Sequence, residues 1–179
     1  MAASNVDIFN LSKCIVEDQN GHRIEMGSLW RNHVVVFVFL RHFGCIACRA
    51  HAVQVWAERE RYEKINAKLI FIGNGDRKYI EGFKQELGLD KAIILTDRTL
   101  AAFRFAGLKR GITSLVNPTS LANAVKLYKE GHRQKELAAK GDHFQMGGVL
   151  VMRPDNQVGF HFVSEALGDF PEDEVPASA

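Results

Sequence analysis

Two of the three cysteines stand as C-x-x-C in the segment Phe39-Leu40-Arg41-His42-Phe43-Gly44-Cys45-Ile46-Ala47-Cys48-Arg49. A thiol reacts as its anion, which is stabilised by nearby positive charge and by the unpaired N–H groups that open a helix. An apolar run precedes the segment and helical spacing follows it, so Cys45 is expected at such an opening. Arg41, His42 and Arg49 add positive potential within a few residues. Together these features bring a thiol from its free pKa of about 8.5 toward the roughly 3.5 to 7.5 of activated cysteines. Cys48 follows one helical turn later, close enough for an i,i+3 disulfide. The spacing supports a cycle in which Cys45 is attacked or oxidised first and Cys48 then condenses with it. Arg41 is expected to stabilise the thiolate, His42 to lower its pKa or shuttle a proton, and Arg49 to assist electrostatically.

The same residues admit two other readings. Both cysteines could be small apolar members of a buried helix face. Alternatively Cys45, Cys48, His42 and His51 could bind zinc, although all four fall in one junction and no second C-x-x-C or C-x-x-H supplies a distant pair. Outside the junction the signals are weaker. Cys14 is a packing residue or a distant resolving thiol, with packing favoured. Gly73-Asn74-Gly75 follows a strand, but Lys78 stands where a dinucleotide fingerprint needs its third glycine. His161 reads as a solvent-facing or hydrogen-bonded strand histidine. Arg110 reads as a loop charge before a substrate anchor.

The elements that must position the cysteines are legible around them. Val34 to Leu40 is β-branched and aromatic without alternation, the pattern of a central strand covered on both faces. Ile46, Ala50, Val53 and Ala57 then recur at helical spacing within Cys45 to Lys64. Leu69 to Ile72 and Ala92 to Leu95 are further buried strands. Asp76 caps a helix ending at Gly88, and Asp97 opens a short helix over Leu100 and Phe103 that closes at Gly107. Asn117 and Pro118 start a helix carrying Leu121, Val125 and Tyr128 and ending at Gly131. His132 to Gln145 is a polar connection. Asn20-Gly21 marks a hairpin between Cys14–Val16 and His22–Glu25, and Gly147–Met152 with Gln157–Val163 form another. Three βα steps and a terminal hairpin predict a three-layer α/β domain with a mixed sheet; a flavodoxin-like doubly wound sheet is the rival. Residues 1–170 are expected to form this domain and 171–179 an acidic, flexible tail.

Composition narrows the function. The 179 residues are 46% hydrophobic and 25% charged, as in ordinary globular domains, and carry a net charge of only +2. No basic run suggests nucleic-acid binding. The apolar run at Val34 is far short of the roughly 20 residues that span a bilayer, and the start lacks a signal-peptide pattern. Neither nucleic acid nor membrane is therefore expected as a partner. A reducing, cytoplasmic setting is expected, where cysteines are more often chemical than structural.

The strand, turn and helix from Val36 to Arg49 resemble the active-site segment of the peroxiredoxin-like 2 group. That group lies within the alkyl hydroperoxide reductase/thiol-specific antioxidant family, with relatives such as selenoprotein U and prostamide/prostaglandin F synthase. Leu108-Lys109-Arg110-Gly111, Gln145-Met146-Gly147-Gly148-Val149 and Val158-Gly159-Phe160-His161-Phe162 resemble later landmarks in the same order, so the likeness runs from about Leu11 to Phe170. It implies a thioredoxin-like fold, a central mixed sheet flanked by helices with an N-terminal hairpin extension. Thiol-based redox activity is implied with it. His42 stands where typical peroxiredoxins have a threonine, and Gln145-Met146-Gly147 where thioredoxins place a proline. The expected activity is thiol-dependent reduction of a small peroxide or disulfide substrate through a Cys45–Cys48 disulfide, renewed by a reductant such as thioredoxin or glutathione. A redox sensor or interaction module without turnover is the alternative, and prostaglandin-endoperoxide reduction follows from the resemblance alone. No cofactor and no metal are expected, and a homodimer is left open.

Overall fold

The computed structural model describes residues 5–111, 141–166 and 168–171, together with helical positions 122, 125, 126 and 129. At its centre is β3 (Val35–Phe39), buried along its whole length. β3 runs parallel to β4 (Lys68–Gly73) and antiparallel to β6 (Gly148–Met152). β4 pairs in parallel with β5 (Ile93–Thr96), and β7 (Val158–Val163) folds back on β6. The N-terminal hairpin of β1 (Ile15–Glu17) and β2 (Arg23–Glu25) joins antiparallel through Glu17 opposite Thr96. The sheet order is β2-β1-β5-β4-β3-β6-β7. Antiparallel β6 beside β3 rules out the wholly parallel doubly wound alternative, and the mixed sheet is the one expected.

Parallel neighbours need a crossover, which helices supply. α3 (Ile46–Ala57) and α4 (Arg59–Lys64) join β3 to β4, and α5 (Lys78–Leu87) joins β4 to β5. Alternate residues of β3 enter opposite layers. Val36 and Val38 pack with Cys45, Ala47, Cys48 and Ala52 of the α3 region and with Ile80 and Phe83 of α5. Val35, Phe37 and Phe39 face Leu11 of α1 (Ile8–Ser12), Met26 of α2 (Met26–Leu29) and Phe103 of α6 (Ala101–Phe105). Cys14 belongs to this second layer, across the sheet from the C-x-x-C.

Turn and cap chemistry follows the residue types. Gly21 closes the first hairpin at φ 85°, and Gly88 ends α5 in the left-handed region, as Gly does without strain. Asp76 accepts from the Lys78 N–H at 3.1 Å, and Asp97 accepts from the Ala102 N–H at 2.7 Å. One expectation needs correction. The helix read through to Lys64 is broken at Glu58, which ends α3 and starts α4, and Val53 and Ala57 turn outward, Val53 being 38% exposed. The reason is that α3 enters the core end-on: every residue from Ile46 to Ala52 is buried, so no single stripe describes it. The expected helix from Asn117 to Gly131 lies outside the described residues except at Ala122, Val125, Lys126 and Lys129. Residues 132–140 of the polar connection and 172–179 of the tail also lie outside them. Among the described residues no helix is long and apolar enough to cross a membrane.

Phe37 is fully buried, its ring centroid 5.9 Å from that of Trp30. Phe37→Ala is expected to lower unfolding stability by about 3–5 kcal/mol, measured by denaturant titration. A loss below about 1 kcal/mol would contradict its place in the central layer.

Candidate active site

The thiols lie where β3 gives way to α3. Leu40 still donates its N–H to the Ile72 carbonyl, after which the chain turns and the Cys45 N–H closes on the His42 carbonyl at 3.1 Å. Cys45 is extended, at φ −70° and ψ 122°, and caps α3, its carbonyl accepting from the Arg49 N–H. Phe43 anchors the turn. Its ring meets Phe83 edge to face, and it lies so close to Gly73 that a Cβ there would stand 2.2 Å from the ring. Only glycine admits this packing.

Arg41 is 7% exposed and each of its three guanidinium nitrogens has a partner. Nη2 donates to the His143 carbonyl at 2.6 Å and Nε to the Gln145 carbonyl at 3.1 Å. Nη1 points at Cys45 Sγ at 3.5 Å, while the Arg41 backbone N–H donates to Cys48 Sγ at 3.2 Å. The two thiols are free, and their environments push them apart. A hydrogen bond from the Cys48 thiol is the largest influence on Cys45. Arg41 and the backbone N–H groups of Cys48 and Ala47 reinforce it against burial and bring Cys45 down to about 6. Burial, then the neighbouring Cys45, pushes Cys48 well above its ordinary value. The two shifts run in opposite directions, Cys45 toward its anion and Cys48 toward the neutral thiol.

The remaining expected residues separate on inspection. His42 meets His143 at 3.3 Å between Nε2 and Nδ1. Burial first, then Arg41 and His143, lowers its pKa to about 3, so it stands beside the thiols as an uncharged ring. His42 Nδ1 is buried without a hydrogen-bond partner. Arg49 directs Nη2 to Glu86 at 2.7 Å, which turns its charge away from the thiols. His51 stacks on Phe170 with ring centroids 3.7 Å apart, and burial lowers its pKa to about 3. No three of the His, Cys, Asp and Glu residues among those described are placed to hold a metal ion. Cys14 donates to the Asn10 carbonyl, and burial raises its pKa to about 11. Arg110 pairs with Asp142, and His161 lies 2.8 Å from the Ala106 carbonyl, the hydrogen-bonded strand histidine expected.

Sequence reasoning missed His143 and the role of the backbone from 141 to 146. Their link to Arg41 spans 102 residues and uses carbonyl groups, so neither spacing nor residue type announces it. The stretch Gln145-Met146-Gly147 carried the one available signal.

Solved structures place this architecture among known folds. The chain superimposes on peroxiredoxin Q of Xanthomonas campestris with a TM-score of 0.61, at 14% identity over 86% of this chain and 82% of the other. For BcpB of Mycobacterium tuberculosis the TM-score is 0.62, at 16% identity over 87% and 84%. The chain has the thioredoxin-like fold of these proteins. Residues 54–166 match the model for AhpC/TSA antioxidant enzymes, and the chain belongs to that family. The match starts downstream of both cysteines of the C-x-x-C. Full-length similarity extends further. Prostamide/prostaglandin F synthase of Aquarana catesbeiana is 30% identical over 93% of this chain and 84% of the relative. The Homo sapiens protein of that name is 28% identical over 96% and 88%. The chloroplastic thioredoxin-like protein AAED1 of Arabidopsis thaliana is 27% identical over 89% of this chain and 67% of its own.

The electrostatic account is checked by alkylation against pH in a Cys14→Ser background. The Cys45 midpoint is expected near about 6, reactivity falling about tenfold per unit below it. Arg41→Ala is expected to raise the midpoint, and Arg49→Ala to move it less. An ordinary thiol midpoint in the unsubstituted site would contradict the account.

Proposed function

We propose that the protein is a thiol-dependent oxidoreductase in which Cys45 is the nucleophile and Cys48 the resolving thiol. The observation that carries this is the split pair: a thiolate-forming Cys45 that accepts from both Cys48 and Arg41. The Cys45 thiolate attacks a peroxide oxygen, the O–O bond breaks, and the departing alkoxide or hydroxide takes a proton and leaves as alcohol or water. Cys45 becomes a sulfenic acid. The Cys48 thiol then attacks that sulfur, an S–S bond forms and water departs. An external thiol reductant such as thioredoxin or glutathione returns both thiols, its own thiols becoming the disulfide. A disulfide substrate would enter the same cycle through a mixed disulfide. Arg41 stabilises the thiolate and the negative charge that develops on the leaving oxygen. His42, whose ring burial keeps uncharged beside Arg41, is assigned proton transfer rather than charge stabilisation in this reading. Arg49 supports the junction by its pair with Glu86. The cytoplasm is the setting that suits three free cysteines. The relatives' name makes a prostaglandin endoperoxide one member of the peroxide class to assay.

One observation favours a second reading. Cys45 is only 2% exposed, so a redox sensor that oxidises once, when the site opens, fits the closed geometry. Turnover separates the two. Many cycles of peroxide consumption with a dithiol reductant support the enzyme, and a single slow oxidation supports the sensor.

Mild peroxide followed by mass mapping is expected to show a Cys45–Cys48 disulfide. Cys48→Ser is expected to leave the first oxidation and trap Cys45 as sulfenic acid, prone to over-oxidation. Cys45→Ser is expected to abolish the fast step and Cys14→Ser to change neither rate nor pairing. A Cys14–Cys45 bridge in the oxidised protein would contradict the proposal.

A further inference from the structure

The Gly73-Asn74-Gly75 loop, which fails as a dinucleotide-binding turn, ends β4 beside the thiols. Asn74 is 2% exposed, and its Nδ2 donates to the Asp142 carbonyl at 2.9 Å. Gly141 presses on the same residue: a Cβ there would stand 2.7 Å from the Asn74 carbonyl oxygen. The segment 141–146 is therefore fixed against β4 at its start. Its other edge is held by residues 109–111, through Met146 N–H to the Lys109 carbonyl and Gly111 N–H to the Phe144 carbonyl. Between these ties lie the two carbonyls, of His143 and Gln145, on which Arg41 hangs.

We propose that Asn74 is a positioning residue for the Cys45 thiolate, acting through the 141–146 segment and Arg41. This rests on the reading of Cys45 as the nucleophile. A guanidinium is a rigid planar fork, so two donors fixed on two carbonyls leave the direction of the third no freedom. That third donor, Nη1, stands 3.5 Å from Cys45 Sγ, an ordinary distance for a hydrogen bond to sulfur. A small shift of the segment carries Arg41 with it and away from the sulfur. The titratable and charged groups around the thiolate are Arg41 and Cys48, with His42 and His143 beside Arg41 and Arg49 turned to Glu86. Arg41 hangs on the segment that Asn74 fixes and itself reaches the sulfur; His143 belongs to that segment and His42 meets it, but no described hydrogen bond joins either ring to a thiol.

The test is a double-mutant cycle read as the pH midpoint of Cys45 alkylation in the Cys14→Ser protein. Asn74→Ala is expected to raise the midpoint, slowing alkylation at the unsubstituted midpoint by about three- to tenfold. In an Arg41→Ala background the same substitution is expected to change nothing further, because the intermediary is gone. Gly141→Ala, which pushes the segment off the Asn74 carbonyl, is expected to act in the same direction and gives an independent reading where Asn74→Ala folds poorly. An unchanged midpoint in either variant, while Arg41→Ala shifts it, would overturn the inference and leave the site reading intact. An equal shift with and without Arg41 would overturn it too. No shift on Arg41→Ala itself would overturn the reading of the site, and the inference with it.

Discussion

A cysteine drawn toward its anion while almost wholly removed from water is the constraint on which the rest of this structure depends. Burying an unpaired charge is prohibitively costly, so a buried group either stays neutral or is met by donors. Cys48 takes the first course and Cys45 the second. The pair is asymmetric although both thiols are deeply buried and one helical turn apart, because the Cys48 thiol supports the anion of Cys45 and Arg41 reinforces it, whereas Cys48 itself is held neutral by burial and by its neighbour. Cys45 has the Arg41 Nη1 at 3.5 Å and the Cys48 thiol beside it, which together outweigh its burial. Cys48 receives the Arg41 backbone N–H, a single neutral donor that does not offset its burial.

Each layer of the fold contributes to this arrangement. β3 is covered on both faces, so its C-terminal end opens deep inside the protein rather than at a rim. The parallel pairing with β4 brings the Gly73-Asn74 loop to the same end, where glycine admits the Phe43 ring. The antiparallel β6 arrives from the opposite direction, so the chain just before it crosses the same end and presents its carbonyls to Arg41. A mixed sheet thus assembles the site from three chain segments that a wholly parallel one would order differently. The family match, which covers residues 54–166, spans two of these three segments.

What the sequence displayed was local and periodic. The unbroken apolar run at Val34, the Asn20-Gly21 turn, the Asp97 cap and the placement of Cys45 at a strand-to-helix junction are all decided by neighbours within a few residues. What it hid was decided by side-chain direction and by distant backbone. Arg49 is as near to Cys45 in sequence as Arg41 is, yet it finds Glu86 on α5 instead. His42 suggested positive charge, but burial keeps its ring neutral. The His143 and Gln145 carbonyls reach Arg41 across 102 and 104 residues, and Asn74 holds their segment through a bond spanning 68, with no spacing rule to reveal any of them. The α3 stripe misled because a helix driven end-on into a core has no solvent face over its first turns.

The central claim is that a donor on residue 48 holds Cys45 as a thiolate, and the most direct measurement is the ultraviolet thiolate titration of Cys45 in a Cys14→Ser background. Cys48→Ser keeps a hydroxyl donor at the same place, and Cys48→Ala removes it. The account requires a low Cys45 pKa in the serine protein and a clear rise in the alanine protein, larger than that caused by Arg41→Ala. Equal values in the serine and alanine proteins would contradict it.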